Sequence, residues 1–257
     1  MIPHKKPNLD VNDIDINFEY EAPDGSKIPQ VDNTKDLGVF ISSDIKFKDH
    51  IKFVHSKCRQ LMGWALRTFK TRKADLMLTL WKSLIIPRLD YCSQLYFPTA
   101  VNEMQQLEAL QRTFTSHISS ITNLDYWQRL KQFKLYSVER RFERYLLIYS
   151  WKIIEDKIIP PEPFSVSDLE SRTGRKFIIH ANDNLNLPFN RAKSSFNALP
   201  KKIRNCTNVN FETFKKHLDK YHLYKVPDEP NVSGYKKYRC ATTNTIKEQS
   251  RYIYGGE

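Results

Sequence analysis

Lysines and arginines recur along one stretch of this chain at a spacing that suits a row of phosphates. Lys52, Arg59 and Lys70 follow Lys48 by 4, 11 and 22 positions. On a helix advancing about 100° per residue, all four project within about 40° of one another. Arg67 lies in the same segment, and Arg72 and Lys73 carry the positive charge past its end. A polyanionic backbone is gripped in this way, by several cations at similar height on one rigid element, each displacing condensed counterions. A merely solvated helix face interleaves glutamate with lysine, whereas no acid intervenes here between Asp49 and Asp75. Lys48, Lys52, Arg59, Arg67, Lys70, Arg72 and Lys73 are therefore the candidate nucleic-acid contacts. A second cluster, Arg140, Arg141 and Arg144, has Glu139 and Glu143 among it and is expected to be an ordinary charged helix face.

Other constellations carry less. Polymerase or nuclease chemistry through metal ions needs converging carboxylates, and no two aspartates are adjacent anywhere in the chain. Glu155-Asp156 falls at an expected helix C-terminus, where negative charge is mildly unfavourable, and is expected on the solvated surface. Asp13 and Asp15 share one side of an expected strand, with no metal-site context around them. Pro227-Asp228 resembles the start of a Pro-Asp…(Asp/Glu)-x-Lys nuclease pattern, but none of Glu229, Glu248 and Glu257 has lysine two residues on. Cys206, His217, His222 and Cys240 are separated by 10, 4 and 17 residues, unlike a compact zinc site. Cys58 lies on an apolar helix stripe and is expected in the core. The chain has neither a glycine-rich phosphate loop nor a Gly-x-Ser-x-Gly elbow. The expected assignment is no catalytic residue and no metal ligand.

Composition agrees with a polyanionic partner. The 257 residues hold 41 Lys and Arg against 29 Asp and Glu, a net charge of +12, and the pI is near 9.4; such an excess favours nucleic acid or, less often, an acidic surface. The charge is uneven: residues 1–43 carry four basic against eight acidic side chains, and residues 44–90 carry eleven against four. The four cysteines form no Cys-x-x-Cys, which suits reduced thiols in an intracellular setting, nuclear or cytoplasmic. No apolar run reaches the roughly 20 residues that cross a bilayer, and Met1–Pro7 has no apolar signal core; no membrane partner is expected.

The elements that must position these residues are mainly helical. Asn17–Glu21 alternates in the strand sense and Pro23-Asp24-Gly25 is a turn signal, so a hairpin is expected over 14–30, followed by a short strand over 37–41 in which Gly38 permits close backbone approach. Ile51, Val54, Cys58, Leu61, Met62, Ala65, Leu66 and Phe69 then mark one buried helix face, with Asp44 or Asp49 as cap. A second helix is expected over 74–86, ended or kinked by Pro87. A third is expected over 100–118 behind Thr99, a fourth over 125–133, and a fifth from the Ser137 cap to about Asp156. Pro160-Pro161-Glu162-Pro163 reads as a stiff linker. Beyond it a short strand over 176–179, an extended stretch over 189–199, a basic turn after Pro200 and a helix capped by Asn210 are expected. The tail from Pro227 shows no core pattern and is expected to have little order. Trp81, Trp127, Trp151, Tyr145 and Tyr149 follow helical stripes and are expected to pack in the core.

Three ordered blocks resemble a known family. Asp32-Asn-Thr-Lys-Asp-Leu-Gly-Val-Phe-Ile-Ser-Ser-Asp-Ile-Lys-Phe-Lys-Asp-His-Ile51, Leu84-Ile-Ile-Pro-Arg-Leu-Asp-Tyr-Cys-Ser-Gln-Leu-Tyr96 and Tyr136-Ser-Val-Glu-Arg-Arg-Phe-Glu-Arg-Tyr-Leu-Leu-Ile-Tyr-Ser-Trp-Lys-Ile153 are similar to the region just downstream of the catalytic palm in non-LTR, LINE-type, jockey-like retrotransposon reverse transcriptases. Phe196–Asn205, Phe211–Lys220 and Val226–Pro230 resemble the C-terminal segment of the same enzymes, so the likeness covers roughly residues 27–230. It implies a β-hairpin remnant of the palm over 1–43, a thumb-like helical bundle over 44–158 that holds template–primer duplex, a small α+β segment over 164–226, and a tail over 227–257. Fingers and catalytic palm would lie upstream of Met1, and both are expected partners together with RNA/DNA duplex. The aspartate pair that holds Mg²⁺ in a complete polymerase is not among these residues, so activity of this chain alone is not expected and no cofactor is assigned to it. The alternative is a decayed mobile-element fragment serving, if at all, as a helical protein-interaction module.

Overall fold

The computed structural model describes residues 21–29, 31–98, 100–121, 123–155, 172, 174–178, 188–206 and 209–224, and the chain divides into two units, residues 1–45 and 46–257. In the first unit, β1 (Asn33–Asp36) and β2 (Val39–Ser42) pair antiparallel, with Asn33 opposite Ser42 and Asp36 opposite Val39. Leu37 and Gly38 join them at φ 44° and 86°. Two positive φ values in a two-residue loop make a primed turn, whose twist matches that of the strands. The expected strand over 37–41 is thus corrected: Gly38 is the turn, not a strand interior, and the chain before it supplies the second strand. Upstream, Glu21 and Lys27 form a bridge around Pro23-Asp24-Gly25, with Gly25 at φ 81° and the Asp24 carboxylate accepting from the Ser26 amide at 3.0 Å. The remainder of the expected 14–30 hairpin lies outside the described residues.

The second unit is helical. α1 (Lys48–Thr68) buries His50, Ile51, Val54, Cys58, Met62 and Ala65, the residues that a 3.6-residue period places on one face. Neither expected cap serves it. Phe47 occupies the cap position at φ 55° without a side-chain hydrogen bond, and Asp44 instead accepts from the Ser42 hydroxyl at 2.6 Å. At the other end Phe69 turns extended (φ −95°, ψ 108°) and stops the helix.

α2 (Ala74–Leu80) runs through a π turn (Trp81–Ile85) into α3 (Ile86–Asp90). Pro87 therefore does not end the helix. A proline ring collides with the carbonyl four residues back and offers no N–H; widening the preceding turn, where the Ile86 amide reaches back to the Trp81 carbonyl, relieves that collision. Trp81, Ile85 and Leu89 are buried along this run. After α4 (Ser93–Tyr96), α5 (Val101–Ser116) begins at Ala100 with no side-chain cap; Thr99, the expected cap, lies outside the described residues. Met104, Leu107, Leu110 and Phe114 form its buried stripe.

α6 (Tyr126–Phe133) opens on a capping box: Asp125 accepts from the Gln128 amide and Gln128 from the Asp125 amide, each at 3.0 Å. α7 (Val138–Ile154) starts at Ser137, whose hydroxyl accepts from the Arg140 amide at 3.1 Å. It packs against α4, α5 and the later α8 (Pro188–Asn197). The extended stretch expected over 189–199 is helical instead. Pro188 at its first position has the φ a helix needs and no N–H to waste, and Ala192 and Phe196 point into the core. α9 (Lys201–Arg204) and α10 (Phe211–Tyr224) complete the unit, the latter capped as expected by Asn210 on the Thr213 amide at 2.7 Å. Trp151 stacks on Phe214 at 4.8 Å and 12°, in a core shared by α7, α8, α9 and α10. Each large side chain withdrawn from water there contributes about 1.5–3 kcal/mol.

In place of the expected strand over 176–179, the described part is a single bridged residue, Phe177. Its amide and carbonyl are held by the Asn197 carboxamide, both at 2.8 Å. Ile179, the 160–163 linker and the tail from Pro227 lie outside the described residues.

Candidate functional site

α1 provides one uninterrupted helix of 21 residues. Lys48, Lys52 and Arg59 are exposed along a single face of it, about 16 Å from first to last at 1.5 Å per residue. His55, half-buried, stands between Lys52 and Arg59 on that face, at the i, i+4, i+7, i+11 spacing that defines a helical strip. Its spacing was visible in the sequence, although a lone histidine carries no charge signal at neutral pH.

The other candidate cations sit elsewhere. Lys70 lies beyond the end of α1, so the projection that aligned it with Lys48 does not apply. It and Lys73 are exposed in the connection and cap of α2. Arg67 is about 80° round the helix from Arg59 and folds back over Gly63, where an added Cβ would stand 3.1 Å from its Nη1. Arg72 turns inward and donates to the Leu66 carbonyl at 2.6 Å and to the Phe69 carbonyl. Those carbonyls are orphaned by the end of α1, and a cation there also suits the negative end of the helix dipole. The Arg72 carbonyl in turn accepts from the Ser119 amide and hydroxyl, both at 3.1 Å. Arg72 is a helix cap and clamp.

The strip is also less uniformly positive than its own helix implies. Asp49 pairs with Lys52 at 3.2 Å, both side chains more than half exposed, an arrangement worth little in water. From α5, Glu103 approaches Lys48 and Lys52; burial pushes its carboxyl upward while the two lysines pull it down. Sequence periodicity within α1 holds no trace of this acid, because its nearness is set by the packing of α5 on α1.

The second arginine cluster is a set of structural ties, not the solvated face expected for it. The Arg140 side chain is buried with Glu143 at 3.2 Å. Arg141 binds Asp90 of α3 through two contacts of 2.7 Å, and Tyr145 donates to the same carboxylate at 2.8 Å. Arg144 binds Asp219 of α10 at 2.5 and 2.9 Å. Bidentate pairs of this kind fix geometry, here that of α3 and α10 against α7. Beside them, Glu108 of α5 accepts from the Val138 and Glu139 amides at 2.9 and 3.3 Å and from the Tyr126 hydroxyl, which places a carboxylate at the positive end of α7. Glu155 is likewise not free surface: it pairs with Arg175 at 2.7 Å with 11% of its side chain exposed.

The Cys58 side chain is fully enclosed, and burial pushes its thiol up to about 12. Cys206 lies 3.4 Å from His217 Nδ1, while Cys240 and the His222 side chain lie outside the described residues. Among the described residues no group of three or more His, Cys, Asp and Glu side chains converges, and no helix is long and apolar enough to cross a membrane. Comparison with protein-family models, with curated proteins and with solved structures yields no match to this chain.

Proposed function

We propose that this chain is a segment of a non-LTR retrotransposon RNA-directed DNA polymerase, equivalent to the region that follows the catalytic palm, and that it binds template–primer nucleic acid without sequence preference. The observation that carries the reading is the strip of Lys48, Lys52 and Arg59 along one face of α1. Cations fixed at intervals of about 6–10 Å on a rigid rod follow a strand's phosphates and carry no information about its bases. The ordered sequence blocks add their family likeness. Catalysis is not assigned to the chain: it lacks adjacent aspartates, so no metal-dependent step is derived for it.

The protein-interaction alternative draws on exposed apolar side chains such as Trp64 at 47% and Leu95 at 43%. These stand on separate elements, and single exposed apolar residues are normal on folded proteins, so the nucleic-acid reading is the stronger. The test is fluorescence anisotropy of a labelled RNA–DNA hybrid with the full chain. Lys52→Glu and Arg59→Glu should weaken binding equally for unrelated sequences, and each lost contact should flatten the salt slope by about 0.9. Undetectable affinity at low salt, or affinity indifferent to salt, would overturn the proposal.

A further inference from the structure

We infer that His55 is a proton-gated phosphate contact within the α1 strip, so that the grip on nucleic acid tightens as the solution becomes more acidic. The inference rests on the nucleic-acid reading of the strip and adds a regulation to it.

Without His55 the strip has a gap of about 10 Å along the helix between Lys52 and Arg59; His55 divides it into steps of about 4.5 and 6 Å. Lys48, Lys52, His55 and Arg59 then follow one another as evenly as a helix allows. His55 is half-buried and makes no hydrogen bond among the described residues, so its imidazolium N–H groups have no competing acceptor there. Burial and the neighbouring Arg59 charge both lower its affinity for a proton in the free protein. At neutral pH it is mostly uncharged, and the strip holds three permanent cations. A phosphate supplies negative charge beside the ring, which offsets Arg59 and favours the imidazolium against its burial. Binding and proton uptake at His55 therefore reinforce one another.

Other groups near α1 must be separated from this effect. α5 brings Glu103, next to Lys48 and Lys52, and Glu108, which is held at the head of α7. α3 brings Arg88, close to Cys58, and Asp90, tied to Arg141; the π turn brings Lys82. Of these, Glu103 is the competing explanation. Its carboxyl is raised by burial, so its protonation on acidification would also strengthen the strip.

The experiment measures anisotropy of a labelled RNA–DNA hybrid against salt at about pH 8 and about pH 5.5, either side of the ordinary histidine range. Three contacts give a slope of log K against log salt of about −2.7, and four give about −3.6. At about 0.1 M salt the added contact corresponds to an affinity gain on the order of eight-fold. The wild type and Glu103→Gln should both show the steepening. His55→Gln should keep the shallow slope at both pH values, and His55→Lys the steep one. If the wild-type slope does not change with pH, if the change survives in His55→Gln, or if it disappears in Glu103→Gln, the inference is overturned while the nucleic-acid reading stands. If no binding occurs at either pH, that reading falls as well.

Discussion

Replacing Asp90 by alanine should destabilise the fold far more than replacing any carboxylate on the α1 strip. Asp90 ends α3 and accepts two hydrogen bonds of 2.7 Å from the Arg141 guanidinium and one of 2.8 Å from the Tyr145 hydroxyl. The side chains are 15% and 26% exposed for Asp90 and Arg141. Removing one partner of a fully buried pair costs about 3–5 kcal/mol, chiefly because the other charge is left without compensation. Arg141 keeps some access to water, which lowers that figure, and the lost tyrosine bond restores about 0.5–1.5 kcal/mol. A net loss of about 2–4 kcal/mol is expected. Asp49→Ala provides the contrast. It removes a solvated pair with Lys52 and a favourable first-turn charge, and should cost under about 1 kcal/mol. Urea denaturation followed by far-UV circular dichroism reads both variants, with unchanged m-values showing that the same transition is compared. Arg141→Met closes a double-mutant cycle. Because the buried lone charge is then gone, the double variant should be more stable than Asp90→Ala alone. An Asp90→Ala cost matching that of Asp49→Ala, or an additive cycle, would refute the assignment of Asp90 and Arg141 as the tie between α3 and α7.

Two further outcomes follow from the same packing. Arg72→Ala should lower stability by about 1–2 kcal/mol in the same urea assay by uncapping the Leu66 and Phe69 carbonyls. It should leave the salt slope of hybrid binding unchanged, whereas a loss of binding comparable to that of Lys52→Glu would return Arg72 to the contact surface. The Cys58 thiol, enclosed and raised to about 12, should resist a thiol reagent in the native protein and react only as the helices unfold. Rapid native labelling at Cys58, located by peptide mapping, would contradict the packing of α1.

Where a segment's structure depends on its own period and caps, the sequence sufficed. The stripe of α1, the Asp125 start of α6, the Ser137 start of α7 and the Asn210 start of α10 follow from side chains within a turn of the backbone groups they satisfy. The failures share a different cause. Pro87 signals a helix end or a kink, and the choice falls to tertiary packing: the π turn ahead of it absorbs the ring because Trp81, Ile85 and Leu89 have a core to fill on both sides of it. The 189–199 segment lacks a strong local preference and becomes α8 once Ala192 and Phe196 have α7 to pack against. Arg141 and Arg144 of α7 look like solvated surface beside Glu139 and Glu143, yet their partners Asp90 and Asp219 are 51 and 75 residues away in the chain.

The candidate site divides in the same way. Its cations were legible because Lys48, Lys52 and Arg59 share a helical period; His55 shares that period but has no charge at neutral pH to mark it. That Lys70 leaves the helix, that Arg72 turns inward as a cap and that Glu103 lies beside Lys48 and Lys52 were decided only by tertiary structure. Period determines which face of a helix a charge occupies. What stands opposite that face depends on how α5 and α3 dock, and docking joins residues whose separation along the chain exceeds any local pattern.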